Sequence, residues 1–313
     1  GASSLTVGLK AQASGIRTVV GGFNNDTLNA MAFTTGMTLD GGEGSDSLIV
    51  STGAILGQSQ IFGGNGTDTL SFAVDALSVV DADFVRASSV EVLKTANGNN
   101  RVNLEASALV AGIKSVIGGS GSDTLDASAF TTTRPVTLDG GAGDDSILGG
   151  EGADSMIGGA GNDVFLVNNA GDSVSGGADT DKVFSSISYV IANNVENLEL
   201  TGSSSISATG NTSNNTLTGN SGNNSLIGLG GVDSLVGGRG NDTYVVDDPG
   251  DKIVEKYNEG LDWVVTSVNF EITDSQSIEY VMAVDGAGGI ELVGNSMDNS
   301  LFGNNDNSSG LGN

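Results

Sequence analysis

From Gly140 the sequence reads GGAGDDSIL, from Gly149 GGEGADSMI and from Gly158 GGAGNDVFL. These are three consecutive copies of one nonapeptide, G-G-x-G-x-D-x-U-x, in which U is a large apolar residue. Two looser copies follow, VNNAGDSVS from Val167 and GGADTDKVF from Gly176. The sixth position of the five copies is Asp145, Asp154, Asp163, Asp172 and Asp181. Glycine at positions one, two and four permits positive φ, so six residues form a tight turn with carbonyls facing inward. The last three residues run as a short strand, whose alternation sends U to one face and its neighbours to the other. Two nonapeptides make one coil, turn–strand–turn–strand, and the next coil stacks on it. Asp145 is then expected over Asp163, and Asp154 over Asp172. Carboxylates that close do not both stay ionised without a cation. Carboxylate and carbonyl oxygens on a flexible loop select a hard ion such as calcium. The repeat therefore predicts calcium ions in file along each edge of a parallel β-roll.

Outward from this core the motif continues at other spacings. In residues 1–139 it opens at Gly21, Gly41, Gly63 and Gly118, placing Asp26, Asp46, Asp68 and Asp123 at position six, with Asn100 in a decayed copy. Most steps here are twenty to twenty-three residues, which predicts a wide-coil β-helix with one calcium loop per coil. The one longer gap, Ser78 to Thr95, is expected to hold a longer pair of strands. Residues 140–184 are the tight roll, and 185–209 are expected to form strand coils without the motif. Residues 210–265 form a second roll, with Asn215 and Asn224 and then Asp233, Asp242, Asp251 and Asp262 at position six. Asparagine keeps an oxygen ligand but loses the charge, so weaker calcium binding is expected there and at Asn100 and Asn299. Residues 266–313 complete the solenoid with non-motif strands and degenerate repeats, ending in GNNDNSSG from Gly303. The U residues, Leu28 through Ile147 and Phe165 to Ile253, are expected to stack as one apolar column. Trp263 is expected to cap that core, with an exposed anchor as the alternative.

The strict tandem array resembles the calcium-binding repeats of the RTX (repeats-in-toxin, haemolysin-type) family. The resemblance covers most of the chain. It implies an all-β, right-handed parallel β-roll continuous with a broader β-helix. It also implies export, usually by type I secretion, to a calcium-rich exterior where the chain folds on the metal. What it carries over falls on the thirteen position-six aspartates named above, each bridging calcium with loop carbonyls of its own and the stacked coil.

Composition agrees with a metal-dependent fold. The formal charge is −27, with 38 acidic residues against 11 Lys and Arg. About ten bound divalent ions would offset most of it. That charge argues against nucleic acid and anionic membranes as partners, and no run of apolar residues approaches a membrane span. Without histidine or cysteine, no Ser-His-Asp or Cys-His constellation exists, and no phosphate-binding glycine loop or EF-hand is present. The acids belong to the repeat, so no enzymatic site is expected. The chain begins in a polar segment and stops within a repeat, as expected of part of a longer protein.

Three roles fit this reading. One is a calcium-dependent structural subunit of an extracellular surface layer, sheath or filament. The others are a rod-like adhesin, with cell-surface polysaccharide as a ligand, and a passive secretion and folding module of a toxin or enzyme. Position nine favours the first. It is apolar at Ile49, Leu148, Ile157, Leu166, Ile227, Val236, Val245, Val254, Val265 and Phe302. Strand alternation sends these residues outward, where stacked coils would line them into stripes for a second copy of the chain.

Overall fold

The computed structural model describes residues 2–6, 13–51, 56–75, 77–131 and 133–304. Most of the repeat-like segment after Gly303 lies outside the described residues. The chain divides into two compact units, Gly1–Asp179 and Thr180–Asn313. In each, every strand pairing is parallel, and the strands stack as a β-solenoid.

In the first unit a nine-stranded sheet carries a strand of each successive coil, among them Thr27–Asn29, Ser47–Val50, Thr69–Phe72 and Val92–Lys94, continuing to Ser173–Ala178. Facing strands include Arg101–Asn103, Thr124–Asp126, Ser146–Leu148 and Val164–Val167. Burial alternates along most strands, so that Ile147 is buried between half-buried Ser146 and Leu148. The pairing registers put like on like: Leu125 beside Ile147, and Ile147 beside Phe165.

The U residues therefore form two columns, not one. Leu28, Leu48 and Leu70 stack in the nine-stranded sheet, while Leu125, Ile147 and Phe165 stack in the facing one. The reason is the coil itself, which contributes a strand to each sheet, so alternate nonapeptides place U on alternate walls. In the wide coils extra apolar side chains fill the additional width. Phe33, Leu104 and Phe130 are all buried at the edge that carries no motif.

Two local expectations are corrected. The segment after Ser78 holds no long strand pair. It contains the short strands Ser78–Val79 and Ala87–Ser88, with a 3₁₀ turn at Asp81–Phe84 between them. One coil later a single α-helix turn, Ala106–Ala111, packs there and ends on Gly112 at φ 107°. Its free amides are met from the neighbouring coil, where the Asp81 carboxylate accepts hydrogen bonds from the Glu105, Ser107 and Ala108 N–H groups. Such an end needs an acceptor, and here no residue of its own sequence supplies it.

Trp263 does not cap the core either. It begins strand Trp263–Thr266 on the outward side, with Val264 pointing in. Its ring stacks on Tyr280 at 4.4 Å and lies parallel to Phe302 at 5.9 Å. The register that pairs Trp263 with Tyr280 dictates this outer-face stack.

Candidate metal centres

Each position-six aspartate sits at the corner where a turn enters a strand. Twelve of the thirteen are buried, and Asp251 is half-buried. At most corners the backbone N–H donates to the carboxylate of the following coil, whereas Asp172 and Asp251 N–H donate within their own turns. Asp26 donates to Asp46 and Asp46 to Asp68, both at 2.7 Å. Asn100 donates to Asp123, Asp123 to Asp145 at 2.7 Å, and Asp145 to Asp163 at 2.8 Å. Asp154 donates to Asp172 at 3.0 Å and itself accepts from Val136. In the second unit the pairs are Asn215 with Asp233, Asp233 with Asp251, Asn224 with Asp242, and Asp242 with Asp262. The sequence spacing thus brings together the residues it names, in short files along the edges.

These bonds use one carboxylate oxygen, Oδ1. The other, Oδ2, is buried without a hydrogen-bond partner at Asp46, Asp68, Asp145, Asp233, Asp242 and Asp262. Burying an ionised oxygen uncompensated is costly, and here such oxygens recur coil after coil. Divalent cations held by carboxylate and turn oxygens fit this donor set. When bound, calcium supplies the positive charge that the files lack.

The motif glycines are arranged around that oxygen. Positive φ occurs at positions two and four, as at Gly141 (103°) and Gly143 (115°), but not at position one, contrary to the sequence expectation. Glycine is required at position one for space. A Cβ on Gly140 would collide with Asp145 Oδ2, and one on Gly118 with Asp123 Oδ2.

Burial first, and then the charges of Asp163, Asp123 and Asp139, push the Asp145 carboxyl up to about 7. Burial, then Asp251, Asp247 and Asp248, push Asp233 up to about 6. A carboxyl raised in the folded state binds its proton more tightly there than in the unfolded chain, whose aspartates titrate near 4. Its protonated form favours the fold below about pH 4, and that contribution is lost as pH rises to between 6 and 7. Acid should therefore substitute for calcium. With metal chelated, β-sheet circular dichroism is expected to grow as pH falls from 7.5 to 4.5. The calcium needed for half-folding should fall over the same range, because protonation already supplies part of the stabilisation, while the folded chain's apparent affinity for calcium weakens as protons and metal compete. A metal-free chain whose signal ignores pH would contradict this.

Three parts of the site escaped the sequence reading. The first is glutamate. Asp68 N–H donates to Glu91, Asp181 N–H to Glu196 and Asp262 N–H to Glu279, at 2.8 to 3.0 Å. Each glutamate stands in a coil without the motif, yet the registers place it directly after the last aspartate of a file. The signal was present as Val90-Glu91-Val92-Leu93, Val195-Glu196-Asn197-Leu198 and Ile278-Glu279-Tyr280-Val281.

The second is position five, treated as free in the motif. Its side chain accepts the N–H of position five in the next coil, as Asn25 does from Ser45, Asp144 from Asn162 and Asn223 from Asn241, at 2.8 to 2.9 Å. This outer ladder runs opposite in direction to the inner one.

The third is the chemistry of the asparagine turns. Asn215 Oδ1 accepts from Asn211 N–H at 2.8 Å, while its amide donates to the Val195 and Glu196 carbonyls. Asn224 and Asn299 repeat the scheme with Asn220 and Asn295, and Asn100 donates to the Ala96 and Gly98 carbonyls. The amide NH₂ fills with donors the place a cation would fill with charge. In these turns amide donors to carbonyls stand where the aspartate turns leave an oxygen unpartnered. Asn224→Asp, which removes those donors and adds a charge beside Asp242, is expected to raise the calcium concentration for half-folding severalfold in a circular-dichroism titration. An unchanged midpoint would count against the amide's role.

A family model of the RTX calcium-binding nonapeptide repeat matches the chain in four copies, over residues 115–130, 137–165 and 209–244. No curated protein matches the chain. No helix among the described residues is long and apolar enough to cross a membrane. RTX repeats bind calcium and indicate a secreted protein. The buried carboxylate files are the structural form of that repeat, and the chain carries the RTX calcium-binding nonapeptide repeat over those residues.

Proposed function

We propose that the chain is a calcium-dependent extracellular structural protein, a subunit of a surface layer, sheath or filament that folds and assembles on calcium after secretion. The position-six aspartates hold the ions, and the role is structural rather than catalytic. One observation carries the assembly: the outer face of the seven-stranded sheet in the second unit. Ile227, Val245, Val265, Met282 and Phe302 are in direct register there. Met282 is 39% exposed and Phe302 45%, and the Trp263–Tyr280 stack lies alongside. Leu148 and Leu166 form a smaller in-register pair in the first unit. An apolar strip continuous over five coils is the surface a lateral neighbour covers. The preferred neighbour is a second copy, because each copy presents the same straight ladder at the same coil spacing.

The test is assembly in calcium, followed by light scattering and electron microscopy. Val265→Lys with Met282→Lys, and separately Leu148→Lys with Leu166→Lys, should leave the calcium-loaded sheet signal intact. The first pair should abolish higher-order assembly. If it assembles like the parent, the strip is only surface and the proposed role loses its support.

A further inference from the structure

Three departures from the repeat meet at one place in the second unit. From Asp251 to Asp262 the step is eleven residues, where the tandem copies step by nine. In the residue after Val254, where the register with Val236 puts the counterpart of Gly237, the chain has Glu255. At the U position of the copy opening at Gly237 stands Tyr244, where the preceding copies have leucine.

All three converge on the same buried space. Position-one glycine leaves room beside a position-six carboxylate, and here Glu255 enters that room. A Cβ on Gly237 would meet Asp242 Oδ2, the Tyr244 hydroxyl and Glu255 Oε2. The Tyr244 hydroxyl donates to Glu255 Oε2. Carboxylate oxygens of Asp242, Glu255 and Asp262 lie within 4.8 Å of one another. All three residues are at most 1% exposed, and Tyr244 is fully buried. The Oδ2 atoms of Asp242 and Asp262 face this space with no partner.

The geometry points to a second kind of calcium site, inside the coil, held by Asp242, Glu255 and Asp262 together. It rests on the calcium reading of the turns only for the identity of the ion. Oxygen donors alone select a hard cation, and calcium ligands at about 2.3–2.6 Å from the ion span distances of this order. Tyr244 is a positioning residue, which fixes the Glu255 carboxylate from the core side. An ordinary turn site joins residues of one edge. This one adds a carboxylate at the turn position that is glycine in the ordinary copies, directly after strand Lys252–Val254.

The experiment is native mass spectrometry of the full chain in calcium, which counts bound ions as integers, with circular dichroism to verify the sheet. Glu255→Gln keeps the shape and puts amide donors where the cation would lie. Glu255→Gly restores the residue that ordinary copies carry, so the coil retains a familiar way to close. Both are expected to bind one calcium ion fewer than the parent, with the sheet signal retained. If the parent binds several ions and both variants bind as many, the interior site does not exist while the turn sites stand. If the parent binds none, the interior site and the calcium-dependent function fall together.

Discussion

Chelating calcium from the folded chain is expected to abolish most of its β-sheet circular dichroism, and restoring millimolar calcium to recover it. The physical reason is the inner carboxylate oxygens. Six aspartates bury an Oδ2 with no hydrogen-bond partner, and each file sets these charges one coil apart. Without metal the chain has two choices, to protonate them or to unfold. Near neutral pH unfolding is favoured, since a net charge of −27 opposes compaction and fifty glycines gain conformational entropy on release. Calcium that binds only the folded chain shifts this balance in proportion to the logarithm of its concentration. Position in the file then matters. Asp163→Ala, in the tandem array, should raise the calcium midpoint more than Asp26→Ala near the end of a file. A chelated chain that keeps its sheet signal would overturn the metal-dependent fold. Equal shifts for the two alanine variants would overturn the stacked-file account of it.

The second large effect is expected from one added methyl group. Gly140 has ordinary φ, so Gly140→Ala meets no backbone obstacle. Its Cβ would, however, overlap the Oδ2, Cγ and Cβ atoms of Asp145. Relief requires the aspartate to leave the corner, which breaks its bond from Asp123 N–H and withdraws a metal ligand. Overpacking costs about 1–3 kcal/mol, and an unsatisfied buried N–H adds about 1–3 kcal/mol more. In denaturant titrations with calcium present, Gly140→Ala should therefore be among the most damaging single substitutions. Gly289→Ala is the control. Nothing lies within 4 Å of its Cβ position and its φ is not positive, so a change within about 0.5 kcal/mol is expected. Equal stability of the two variants would show that position one is glycine for some other reason.

The phase of the nonapeptide made most of this fold legible. Position six fixed which residues share a corner, and strand alternation fixed which face each neighbour takes, so the Asp145–Asp163 and Asp154–Asp172 pairs were readable before any coordinates. What was not legible has a common cause: it depends on contacts between coils, while the motif describes one coil. Glu91, Glu196 and Glu279 complete files from turns that carry no glycines, so no turn signature announces them. Asp81 caps a helix 24 to 27 residues further along the chain. The amide of Asn215 is self-sufficient only because the Val195 and Glu196 carbonyls arrive from the coil before it. Position one misled for a related reason, because its glycine answers to a side chain five residues away rather than to its own dihedral angle.

The two ladders at each corner have opposite senses, and the inner one is buried. Within a file an inner N–H looks for its acceptor in the next coil: Asp46 in Asp68, Asp123 in Asp145, Asp242 in Asp262. Each outer N–H looks to an earlier one, as Ser45 does to Asn25. Removing coils from the two ends of a unit is therefore not equivalent. A cut on the carboxyl-terminal side strands a buried donor, which water reaches poorly. A cut on the amino-terminal side takes no acceptor from these inner N–H groups, strands the exposed outer donors, and leaves a carboxylate free to turn toward metal. The solenoid thus has an arrow built into its position-six hydrogen bonds: within a file each corner is finished by the coil that follows it, and shortening a file from the carboxyl-terminal side reopens the corner left behind.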